Sequence, residues 1–110
     1  MDRTFIVLDG FWEDWQRLKL GDSEINSLEI ELMKNPTMGD IIQGSKGVRK
    51  IRWAVGNKGK SGGVRVFYLD ITASKEIYLI AVISKNEKAN LSKSEINILA
   101  KLVNQLKKED

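Results

Sequence analysis

The chain has 110 residues, the length of one domain, and 42% of them are hydrophobic, enough to bury a real core. It contains neither cysteine nor histidine, which excludes disulfides and thiolate metal sites and removes the commonest general base and transition-metal ligand. The formal net charge is only +3, but residues 1–40 carry 4 basic and 9 acidic groups, whereas residues 41–69 carry 7 basic groups and no acidic one. A basic block free of acids attracts a polyanion, and nucleic acid is the foremost candidate.

No basic flank followed by an apolar run opens the chain, and no apolar run approaches the roughly 18 residues of a membrane span. We therefore expect a single domain over residues 1–110, located in the cytoplasm, with no membrane contact. No internal repeat, low-complexity segment or linker divides it.

In chain order, the apolar run TFIVL at residues 4–8 predicts a strand, ended by Asp9 and Gly10. Phe11, Trp12, Trp15 and Leu18 then recur at helical spacing until Gly21 breaks the pattern. Asp22 or Ser23 can cap a second helix with Ile25, Leu28 and Leu32 on one stripe, stopped by Asn35-Pro36. This predicts a helical hairpin packed on a sheet.

Three strand candidates follow. VRKIRWAV at residues 48–55 alternates, with Arg49, Ile51, Trp53 and Val55 on one side and Val48, Lys50, Arg52 and Ala54 on the other. GVRVFYLDI at residues 63–71 is rich in β-branched and aromatic residues, and EIYLIAVIS at residues 76–84 is apolar almost throughout, as in a strand covered on both faces. The short links predict an antiparallel meander. The chain closes with a helix opened by a capping box, Ser92 with Glu95, and striped by Ile96, Leu99, Val103 and Leu106. Lys107 and Lys108 complement its dipole in the last turn. The expected fold is α+β: an N-terminal strand and helical hairpin, a three-stranded antiparallel meander and a C-terminal helix, with the helices packed on one sheet.

AVGNKGKSGG at residues 54–63 fits the permissive form of a nucleotide-binding phosphate loop. Such a loop needs a helix directly after it, whose N-terminus supplies amide donors and positive dipole. Here Gly62-Gly63 and then β-formers follow, so we read a hairpin tip from which Lys58 and Lys60 project toward phosphate. Lys50 and Arg52 share one strand face, opposite Ile51 and Trp53. The apolar face should meet the helices and the basic face should stay open, with Arg65 on the neighbouring strand and Lys85, Asn86 and Glu87 just past the last one. Like charges on one sheet face repel unless a partner neutralises them.

Taken together, ELMKNPTMGDIIQGSKGVRKIRWA, the glycine- and lysine-rich tip, GGVRVFYL, IYLIAVISKNEKANLS and the closing helix resemble the RelE/ParE superfamily of bacterial toxins, in its HigB branch. The resemblance covers roughly residues 24–104; the first strand and helix match in type only. It implies the toxin of a type II toxin–antitoxin system: an mRNA interferase that enters the ribosomal A site and cuts the message by attack of a 2′-hydroxyl on the adjacent phosphate, with no metal or cofactor. It also implies a cognate antitoxin, often a helix-turn-helix protein like HigA, beside the ribosome and mRNA as partners.

Carried over by position, Lys50 and Arg52 fall where the superfamily has basic strand residues near the scissile phosphate. Arg65 falls on its arginine after the glycine tip, and Lys85 and Asn86 fall where some members place a catalytic arginine or basic pair. The resemblance thus makes Lys50, Arg65, Lys85, Asn86 and Glu87 the catalytic candidates, and Lys46, Arg49, Arg52, Lys58 and Lys60 the RNA-binding ones. Well-known relatives carry a Tyr or His beyond the last segment, and this chain has neither between Lys85 and Ser92. The base is then a lysine depressed by neighbouring cations or Glu87, or catalysis proceeds mainly by alignment and electrostatics. Two other functions are compatible with these residues: a ParE-like inhibitor of DNA gyrase, and a small RNA-binding module without chemistry.

Overall fold

The computed structural model describes residues 2–54, 63–84 and 91–108. Its elements are β1 (Thr4–Val7), α1 (Asp9–Arg17), α2 (Asp22–Lys34), β2 (Asp40–Ile41), β3 (Arg49–Trp53), β4 (Val64–Ile71), β5 (Glu76–Ser84) and α3 (Lys93–Lys108). The strands form one five-stranded sheet in the order β1-β5-β4-β3-β2. β3, β4 and β5 are the predicted meander, and β5 has the predicted bounds.

Three features differ from the expected fold. β1 pairs parallel with β5, Thr4 opposite Glu76, so the sheet is mixed. β2 adds a two-residue edge strand, with Asp40 opposite Lys50 and Ile41 opposite Arg49. A strand this short has no periodicity to read. Helices also lie on both faces of the sheet.

On one face α1 and α2 bury Phe11, Trp15, Leu20, Ile25, Leu28 and Leu32 against Ile51, Val64, Val66, Tyr68, Ile77, Leu79 and Val82. On the other, Leu99 and Val103 of α3 pack with Ile42, Val48, Phe67, Leu69, Ile71, Tyr78 and Ile80. Covered on both sides, β5 is apolar between Glu76 and Ser84 for the expected reason.

Local chemistry sets the helix ends. Gly21, not Asp22 or Ser23, caps α2, and its N–H donates to the Glu24 carboxylate at 2.9 Å. The Trp15 indole N–H donates to the Gly21 carbonyl at 3.0 Å and so fixes the turn of the helical hairpin. At α3 the capping box forms as predicted: the Ser92 N–H reaches Glu95 at 2.7 Å, and the Glu95 N–H reaches the Ser92 hydroxyl at 3.2 Å. Among the described residues no helix is long and apolar enough to cross a membrane.

Candidate functional site

The register of β3 and β4 brings three cations together. Arg52 stands directly opposite Arg65, and Lys50, two residues along the same face of β3, stands opposite Phe67. Side chains two residues apart on a strand share a face, so all three project on the side that α3 also covers. That face is therefore not wholly open, as the alternation alone suggested. Phe67 continues into the core under α3, while the cations line a cleft of about 400 Å³ together with Met38, Asp40 and Ile51.

The wall of this cleft is built by a clamp on the segment between α2 and β2. Asn35 is the C-cap of α2 and precedes Pro36, which cannot continue the helix. The fully buried Tyr68 reaches the segment from β4: its hydroxyl donates to the Pro36 carbonyl at 2.8 Å and accepts from the Gly39 N–H at 3.0 Å. Arg49 lies across from Tyr68 on the opposite sheet face from Lys50 and donates to the Gly39 carbonyl at 2.7 Å and the Thr37 carbonyl at 3.3 Å. Burial raises the Tyr68 phenol above its ordinary value, against the Gly39 hydrogen bond and the Arg49 charge, which pull the other way.

Gly39 has no room for a side chain. A Cβ there would come within 2.7 Å of Ile51 Cγ2 and 2.8 Å of the Lys50 carbonyl oxygen. The absence of that atom lets β2 lie flat on β3 and sets Asp40 opposite Lys50.

A second turn presents Lys46. Ile42 N–H bonds the Val48 carbonyl at 2.8 Å, and the buried Ser45 hydroxyl donates to the Ile42 carbonyl at 2.7 Å and accepts from the Val48 N–H at 3.0 Å. Gly44, Lys46 and Gly47 all take positive φ to close the turn, which leaves Lys46 exposed.

Of the residues singled out from the sequence, the structure gathers Lys50, Arg52 and Arg65. It sets Lys46 on a separate turn and uses Arg49 as a backbone anchor on the other face. Lys58, Lys60, Lys85, Asn86 and Glu87 lie outside the described residues. The described residues that follow the segment resembling a nucleotide-binding loop form strand β4, antiparallel to β3, and not a helix. Sequence reasoning missed Met38 and Asp40. Their one signal was the Pro36–Gly39 spacing after a helix stop, with an arginine and a tyrosine on the following strands able to hold it.

Cations around a concave opening, with an apolar thioether at one edge, suit a phosphodiester with its attached base. In fold, the chain is similar to a solved structure of the E. coli toxin RelE, a double arginine-to-alanine mutant in the free state. The two share 20% identity with a TM-score of 0.60, over 94% of this chain and 98% of that one. The family model described as the RelE toxin of the RelE/RelB toxin–antitoxin system matches residues 11–110. The chain belongs to the RelE toxin family.

Proposed function

We propose that the chain, as a HigB-like toxin of a type II pair, inhibits translation by cutting mRNA on the ribosome. The observation that carries this reading is the convergence of Lys50, Arg52 and Arg65 on one open cleft. Cleavage by transesterification through the neighbouring 2′-oxygen needs that oxygen aligned for in-line attack, its proton removed, the charge on phosphorus held, and the leaving 5′-oxygen protonated. Preorganised cations supply the third requirement, because they are fixed by the sheet before the charge develops. Arg52 and Arg65, paired across β3 and β4, are suited to the non-bridging phosphate oxygens.

Lys46, Lys58 and Lys60 extend the basic block from which a docked RNA would draw further phosphate contacts, and Lys85, Asn86 and Glu87 follow the end of β5. Ser84, the last residue of β5, pairs with Val64 beside Arg65, so β5 ends beside the cleft. The implied partners are the ribosome with its mRNA and an antitoxin of acidic or acid-tailed character, with a helix-turn-helix domain, in the cytoplasm.

Induced expression in a bacterial host, with new RNA 5′ ends mapped with and without a block on translation, tests the reading. Translation-dependent cuts inside reading frames support it. Growth arrest with intact messages refutes it and directs attention to gyrase.

A further inference from the structure

We propose that Asp40 is the general base of this site and Lys50 its general acid, an assignment that rests on the nuclease reading above. The cleft that gathers three cations also contains one carboxylate among its described lining residues, that of Asp40. A negative charge there weakens the hold on a phosphate backbone, so its presence in such a cleft calls for a use. Among the described residues the Asp40 side chain makes no hydrogen bond and no ion pair. It is exposed, and so open to a docked ligand.

Its position is nevertheless held closely. Gly39, next to it, is buried and bonded through its N–H to Tyr68 and through its carbonyl to Arg49, two groups on two strands. The cross-strand register then sets Asp40 on the same face as Lys50 and directly opposite it. A catalytic group works when it is placed before the substrate arrives, and this one is placed by buried neighbours rather than by its own contacts.

The assignment of roles follows from charge. A carboxylate has only acceptor oxygens and can take a proton, whereas an ammonium has only donors and can give one, so Asp40 suits the base and Lys50 the acid. In the step, the 2′-O–H bond breaks and its proton passes to the Asp40 carboxylate. The 2′-oxygen then bonds to phosphorus, the P–O5′ bond breaks, and the departing 5′-oxygen takes a proton from the Lys50 ammonium. The products are a 2′,3′-cyclic phosphate and a 5′-hydroxyl. Asp40, now protonated, faces the neutral Lys50 amine across the strand pair and returns the proton to it, so the site is restored with no net gain or loss.

The test uses the full-length protein and ribosomes programmed with a message in which one defined linkage is cleaved, in single-turnover cleavage. Asp40→Asn is expected to bind RNA at least as tightly as wild type, having lost a negative charge, yet to cleave about 10²–10⁴-fold more slowly. Lys50→Ala is expected to lose a similar factor and to recover most of it on a message with sulfur in place of the bridging 5′-oxygen, a leaving group that needs no proton. Asp40→Asn should gain nothing from that substitution. If Asp40→Asn melts early, partial rescue of Asp40→Ala by added formate carries the same test. Asp40→Asn that cleaves as fast as wild type, or sulfur rescue of Asp40→Asn instead of Lys50→Ala, overturns the assignment. A wild-type protein that leaves the message uncut overturns the nuclease reading itself, and this assignment with it.

Discussion

Arg52 and Arg65 face each other across the β3–β4 ladder, two guanidinium groups at directly opposed positions. Like charges so placed repel by up to about 1 kcal/mol, so the pairing is poor as a stabilising device and good as a fork for a bound anion. Arg65→Ala should therefore leave the fold intact, within about 1 kcal/mol of wild type, while lowering cleavage by roughly 10²–10³-fold. Thermal melts beside single-turnover cleavage check both halves. Full activity in a folded Arg65→Ala variant would remove Arg65 from the site.

Binding should be salt-dependent to a degree the cleft sets. Three phosphate contacts give a slope of about −2 in a plot of log affinity against log salt for single-stranded RNA, and each single substitution at Lys50, Arg52 or Arg65 should reduce it by about 0.7. Titration of a short RNA at several salt concentrations measures this. A slope that ignores these substitutions places RNA elsewhere on the molecule.

Tyr68→Phe removes one hydroxyl that serves two backbone groups, the buried Gly39 N–H and the half-buried Pro36 carbonyl. The cost should be about 1–3 kcal/mol, seen as a lower melting temperature. A pH signature accompanies it. Burial raises this phenol in the folded state, so the folded protein holds the proton at pH values where the unfolded chain has lost it. The associated stability is complete below the ordinary tyrosine value of about 10 and is lost as pH rises through the higher folded value. Wild type should therefore lose stability at alkaline pH more steeply than Tyr68→Phe does.

Gly39→Ala inserts a methyl group against Ile51 and the Lys50 carbonyl, and the carbonyl cannot move without shifting β3. Overpacking of this kind costs typically about 1–3 kcal/mol. Because Asp40 follows Gly39 directly in the chain and pairs with Lys50, cleavage should fall by more than stability accounts for. Equal activity per folded molecule in Gly39→Ala would show that the position of β2 does not matter to the reaction.

Arg3 and Asp70 form a two-pronged ion pair, Nε to Oδ1 at 2.8 Å and Nη2 to Oδ2 at 3.4 Å, with only 11% and 6% of their side chains exposed. The pair reaches across β5, since Arg3 precedes β1 and Asp70 lies on β4. Asp70→Ala leaves the Arg3 guanidinium without its carboxylate and should lower stability, while leaving RNA affinity unchanged. Chemical denaturation measures the first and RNA titration the second.

The elements legible in the sequence were those whose signal is local. Period-two alternation in β3, the unbroken apolar run of β5 and the Ser92–Glu95 capping box each depend on neighbours within a few residues, and each appears as read. The parallel pairing of β1 with β5 and the placement of α3 on the second face depend on contacts between distant segments; an apolar stripe states that a helix is buried, not against which side. The same division runs through the site. Lys50 and Arg52 were visible by alternation and Arg65 as the next strand's cation, but Met38 and Asp40 enter only because a tyrosine hydroxyl on β4 and a guanidinium on β3 hold a loop 29 and 10 residues away in sequence.

The most direct measurement is cleavage by the purified protein of a defined message on purified ribosomes with an empty A site, comparing wild type with the Arg52→Ala/Arg65→Ala double variant. We predict a cut in the A-site codon ending in a 2′,3′-cyclic phosphate, absent when the message is not bound to ribosomes and lost in the folded double variant. An intact message with wild-type protein, or equal cutting by the double variant, would contradict the assignment of this cleft as an RNA-cutting site.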